Sequence, residues 1–178
     1  RGRRGTDVFA SGHQAGELFL LLEPEDIEAT TLTLGELGLA RSWRGVGFGT
    51  LFEDADTETL TNTGRDLKPY APAQLAGSRN GGGDLTVTWI RRSRIGGDWR
   101  DGTGLVPLGE ASEAYEVDIL DAPGGAVVRT ITGLLAPSAG YTAAEQTTDF
   151  GAPQGLIHLA VHQLSAVAGR GFPSKASV

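Results

Sequence analysis

Polar and apolar residues alternate most strictly at Asp84-Leu85-Thr86-Val87-Thr88-Trp89, where Leu85, Val87 and Trp89 fall on one face of an extended strand. The same alternation returns at Tyr115-Glu116-Val117-Asp118-Ile119, with the two carboxylates facing water. With these two, seven strands are predicted, over 73–79, 84–92, 113–120, 126–132, 139–143, 156–164 and 171–178. Turn signals separate them at Asn80-Gly81-Gly82-Gly83, Pro123-Gly124-Gly125, Pro137-Ser138 and Gly169-Arg170-Gly171. In the 156–164 strand the pattern turns Ile157, Leu159 and Val161 to the core and His158 and His162 outward.

That strand count over 73–178, with a core tryptophan closing the second strand, matches an all-β sandwich of fibronectin type III or immunoglobulin kind. The first part of the chain is also β-rich. Leu18–Leu22 reads as a buried strand, Thr30–Leu34 as an alternating one, Gly35–Leu39 as a turn, and Trp43–Phe52 as a strand with glycines 45, 47 and 49 on its second face. Leu67-Lys68-Pro69-Tyr70-Ala71-Pro72 marks the boundary, since two prolines enforce an extended connector. The expected division is a β-rich segment over 1–72, completing a domain that begins upstream, and a sandwich over 73–178.

Composition supports short strands: 27 Gly and 8 Pro among 178 residues, with no Cys. The missing cysteines exclude a disulfide framework and thiolate chemistry. No methionine occurs, not even at position 1, so we expect the chain to be the C-terminal piece of a longer polypeptide. A net charge of −7 argues against general nucleic-acid binding, with Arg1-Gly2-Arg3-Arg4 as a short basic exception. The apolar run Leu18–Leu22 is too short to span a membrane.

Candidate chemistry is sparse. His158 and His162 would sit about 13 Å apart along a strand, so surface histidines are the reading rather than a zinc site. Asp54-Ala55-Asp56-Thr57-Glu58 has the opening spacing of a calcium loop, but Thr59 and Arg65 stand where the motif needs Gly and Glu. Glu110, Glu113 and Glu116 could supply paired carboxylates for glycoside hydrolysis, yet Glu116 lies on a solvated face. No catalytic, metal or cofactor residue is assigned, and no cofactor is expected. The one candidate contact is Trp99-Arg100-Asp101, carried by an unusually long loop between the second and third sandwich strands. Trp99 either contacts a glycan or a neighbouring subunit, or folds back over the end of the sandwich.

Several collinear segments resemble a known family. They are Thr61–Pro69 (Thr-Asn-Thr-Gly-Arg-Asp-Leu-Lys-Pro), Leu85–Arg92, Pro107–Glu110 with Ala114–Val117, and Gln163-Leu164-Ser165 with Gly169–Pro173; Gly12–Glu17 extends the match. The chain resembles the C-terminal region of the large multidomain baseplate protein of gene transfer agents and related siphophage tails. The resemblance implies a non-enzymatic virion component at the tail tip, assembled in the bacterial cytoplasm. Its expected partners are other tail proteins, further copies of itself in a trimer, and a host-surface glycan. A glycoside-hydrolase-like domain would lie upstream. The alternatives are a carbohydrate- or receptor-binding accessory domain, or an accessory module of a secreted polysaccharide-degrading enzyme.

Overall fold

A computed structural model describes Gly16, residues 30–96 and residues 105–178, and the chain divides into two compact units, residues 1–66 and 67–178. The division falls at the start of the proline-bearing stretch 67–72. Pro69 and Pro72 are buried, and the Phe172 N–H donates to the Pro69 carbonyl (3.0 Å), so the connector is built into the second unit. Leu18–Leu22 lies outside the described residues.

In the first unit, the stretch expected as a strand at Thr30–Leu34 is irregular and leads into a 3-10 turn, Leu34–Glu36. The Glu36 carboxylate accepts from the Thr33 N–H (2.8 Å), a local bond that outcompetes extension. Strand β1 (Ala40–Arg44) pairs with β2 (Thr57–Thr61) in unbroken antiparallel register, from Ala40↔Thr61 to Arg44↔Thr57. The expected strand Trp43–Phe52 is therefore mostly loop. Thr50 N–H closes a turn onto the Gly47 carbonyl, and Gly49 takes the left-handed conformation at φ +82°. Arg44 braces this loop through the Phe52 carbonyl (3.0 Å) and Thr57 Oγ1 (2.8 Å). Among described residues 30–66, only Ala55 and Gly64 are buried.

The second unit carries the core. Strand β3 (Ala73–Arg79) turns into β4 (Leu85–Ile90) through Asn80, whose Oδ1 accepts from the Gly82 and Asp84 N–H groups (2.9 and 3.0 Å). The remaining strands are β5 (Tyr115–Leu120), β6 (Val127–Leu134), β7 (Ser138–Tyr141), β8 (His158–Ser165), β9 (Gly169–Arg170) and β10 (Ser174–Ser177). They form two antiparallel sheets, ordered β3-β4-β7 and β10-β8-β5-β6, with β9 continuing the edge beside β8. The strand expected over 171–178 is thus broken at Gly171-Phe172-Pro173.

Between the sheets lie Leu85, Val87 and Trp89 of β4, Tyr115, Val117 and Ile119 of β5, Ala139 and Tyr141 of β7, and Ile157, Leu159 and Val161 at β8. The inward residues expected from the alternation are the ones found.

A helix not foreseen from the pattern, α1 (Ala143–Phe150), joins β7 to β8. Thr142 and Glu145 form a capping box, and Gly151 ends the helix at φ +82°. The helix is fastened at its first turn, where the Ala143 N–H donates to Asp84 Oδ1 (2.8 Å). Gln146, fully buried, donates to the Gly83 and Tyr141 carbonyls (3.1 and 3.0 Å) and accepts from Arg79 and the Gln154 N–H (3.2 and 3.1 Å). One turn further on, Asp149 takes a two-pronged pair from Arg129 (2.6 and 2.9 Å) and the Tyr141 hydroxyl (2.7 Å).

Replacing Gln146 with Leu keeps the volume but strands these partners in a dry site. We expect a loss of about 2–4 kcal/mol in urea unfolding. A change below about 0.5 kcal/mol would show that the helix is not anchored through this side chain.

Candidate functional site

Four segments of the second unit meet at the end of the sandwich where β4 leaves and β5 enters. They are the connector 67–72, the limbs 91–96 and 105–114 of the long loop, the turn 135–137 and the segment 165–173. Backbone bonds gather them: Trp89 N–H to the Pro137 carbonyl (3.1 Å), Leu164 N–H to that of Ala114 (2.8 Å), and Gly171 N–H to that of Gln163 (2.8 Å). At Gly171 a Cβ would stand 2.8 Å from the carbonyl oxygens of both Gln163 and Pro69, so only glycine lets the backbones close.

The two described limbs of the long loop, 91–96 and 105–114, are held together by side chains. Arg91 donates to the Val106 and Pro107 carbonyls (2.8 and 3.0 Å), and its Nε lies 3.9 Å from Glu113. Arg94 pairs with the nearly buried Glu110 (2.8 Å) and Arg92 lies over the Tyr70 ring (5.2 Å). The expected contact residues Trp99, Arg100 and Asp101 fall in 97–104, outside the described residues.

On this braced base the end of the sandwich turns apolar side chains to solvent. Leu105 is 92% exposed and Leu135 74%, with Ile90, Ile95, Val106 and Val167 also exposed. These residues were not singled out from the sequence. Their signal is there: Ile90 falls on the outward face of its strand, and the others stand in turns or loops, where the strand pattern offers no core position.

Beneath the loops lies a polar layer. The Trp89 ring meets Tyr115 edge-on at 5.2 Å, and the Tyr115 hydroxyl donates to Glu113 (2.7 Å). Burial, then the bond to Glu113, pushes the Tyr115 pKa far up, so it stays a neutral donor. Gln163 pairs directly across from Tyr115 and is fully buried. Both polar atoms of its amide, and the Trp89 indole nitrogen, are buried without a protein partner among the described residues.

The segment 165–173 is fastened from the outer face of the four-stranded sheet. Arg170 places two guanidinium nitrogens on Asp118 (2.6 and 3.0 Å) and its Nε on Glu116. Asp118 also accepts from Thr130 (2.7 Å), and His162 Nε2 stands 3.6 Å away. Burial by itself would raise the Asp118 pKa; the bonds from Arg170 and Thr130, and the nearby His162, outweigh it and hold the carboxyl below its usual range. The carboxylates considered for hydrolysis are thus parted: Glu110 with Arg94, Glu113 with Tyr115, Glu116 with Arg170. Asp54 ends a 3-10 turn, while Glu58 lies on β2. Among the described residues no three His, Asp or Glu side chains converge as metal ligands would.

Because the Asp118 pKa is lowered on folding, its stabilisation is complete above the unfolded value of about 4 and is lost as pH falls through the folded value. Asp118→Asn should cost about 1–2 kcal/mol at pH 7 in urea unfolding. It should also flatten the loss of stability below about pH 4 relative to the parent chain. An unchanged acid profile would remove Asp118 from this role.

No protein-family model matches the chain, and no curated protein matches it. Among solved structures it is similar to domains d3–d4 of the rat CD45 extracellular region, at 12% identity over 95% of this chain and 83% of that one (TM-score 0.42). It is also similar to the FN5 domain of Drosophila Lar, at 14% identity over 62% and 94% (TM-score 0.38). A myokine structure is similar at 13% identity over 62% and 95% (TM-score 0.38). Likeness of this degree says nothing of function. The fold rests on strand order: β3-β4-β7 facing β10-β8-β5-β6 is the arrangement of a fibronectin type III sandwich.

Proposed function

We propose that the chain is a contact module of a phage-like tail tip, whose sandwich presents its loop end to a neighbouring tail subunit. The observation that carries this reading is the group of solvent-facing apolar side chains, Leu105 and Leu135 foremost, raised on a base that Arg91 and Arg94 hold in place. Apolar side chains on braced loops offer a partner surface to bury at little ordering cost. The tail-tip setting is supported by the resemblance of Thr61–Pro69, Leu85–Arg92 and Gly169–Pro173 to the baseplate family.

The strand edges fit this role poorly. Strand β6 carries two irregularities in its pairing with β5, and Gly133 within it has φ +72°. Strand β3 is displaced between Ala73 and Ala76, with Gln74 at φ +52°. Strand β7 is four residues long behind Pro137, and β9 and β10 are separated by a segment ending in Pro173. Each is a device that discourages pairing with another chain. Assembly through the sandwich therefore falls to its loops.

Leu105→Glu with Leu135→Glu should leave the fold intact, with unfolding free energy within about 0.5 kcal/mol, because both side chains already face water. In purified particles, immunodetection should find the doubly substituted chain at a tenth of the parent level or less. Equal incorporation would overturn the reading.

A further inference from the structure

The β1–β2 hairpin is built unlike every edge of the sandwich. Its strands are five residues each and pair without a bulge, and neither contains proline or glycine. All ten residues are exposed. Among the described residues both outer edges are unpaired, and the connecting loop exposes Val46, Phe48, Leu51 and Phe52. A lone two-stranded hairpin is marginal in water and becomes stable with a third strand or a covered face.

The two edges also differ in sign. Strand β1 carries Arg41 and Arg44 and no acid; Arg41 is paired with Glu36, whereas among the described residues Arg44 meets Thr57 Oγ1, the Phe52 carbonyl and the Phe52 ring. Strand β2 carries Glu58 and no base, and Asp54 and Asp56 precede it. Pairing β1 with β1, or β2 with β2, would set like charges across a ladder, which is unfavourable. Pairing β1 with β2 of another copy sets opposite charges across it.

We propose that the hairpin joins copies of this chain head to tail, β1 of one copy adding antiparallel to the free edge of β2 in the next. Such a contact uses two different surfaces, so it builds closed rings or open rows rather than stopping at a two-fold dimer. Each junction supplies the third strand that the hairpin lacks among the described residues. The apolar loop 45–52 lies at one end of this ladder, beside the new junction.

Sedimentation velocity on the full chain tests this. At about 0.1 mM, where a contact with Kd on the order of 10 μM is well populated, the chain should sediment as species larger than a dimer. Two variants make the edges alike in sign. Asp56→Arg with Glu58→Arg makes both basic, and Arg41→Glu with Arg44→Glu makes both acidic. Each alone should be monomeric, with the sandwich's urea midpoint unchanged as the control for folding, and an equimolar mixture should recover association. Glu58→Arg alone serves as the milder variant and should weaken association at least tenfold. A parent chain that stays monomeric at about 0.1 mM overturns the proposal and leaves the hairpin to a different protein. Association that stops at a dimer, or that the substitutions do not change, overturns it as well.

Discussion

Strand β5 is the constraint on which the second unit depends. It is central in its sheet, with β6 on one side and β8 on the other, so its two faces meet different demands. Inward, Tyr115, Val117 and Ile119 are fully buried against the opposite sheet. Outward, Glu116 and Asp118 hold Arg170 and with it the segment 165–173. A register slip of one residue would put the carboxylates in the core and the aromatic ring in water. The same strand begins at the loop end, where Tyr115 fixes Trp89 from one side and Glu113 from the other. Core, outer-face network and loop end are thus set by one alternation.

That alternation is why so much of the sandwich was legible in the sequence. Where a strand has one dry face and one wet face, period-2 patterning reports the burial directly, as at Leu85–Trp89 and at Ile157–Val161. Helix α1 escaped because eight residues with no apolar stripe carry little periodic signal. Its marks are local instead, the Thr142–Glu145 capping box and Gly151. The first unit misled for the opposite reason. Alternating Gly and apolar residues from Trp43 to Phe52 imitate a strand, yet a left-handed glycine and a turn bond fold the segment back.

At the loop end, the sequence shows a long loop but not which apolar residues face solvent. The long loop after the tryptophan strand is plain in the pattern, and its Trp99 lies outside the described residues. Which apolar residues face solvent depends on how the loop limbs fold, and here that is decided by two arginines reaching carbonyls and a carboxylate some fifteen residues further along the chain. Side-chain bonds over that separation leave no periodic trace.

The units differ in how they meet water. The sandwich buries its alternating residues and guards its edges, while the hairpin exposes all ten of its residues. The claim that one core in β4, β5 and β8 carries the fold is tested most directly by amide hydrogen exchange on the intact chain at low concentration. The account predicts that amides of β4, β5 and β8 exchange slowest, sharing one opening free energy equal to that of global unfolding. Amides of β1 and β2 should exchange orders of magnitude faster. Protection of β1 and β2 equal to that of β5 in the monomer would contradict it, as would fast exchange within β5.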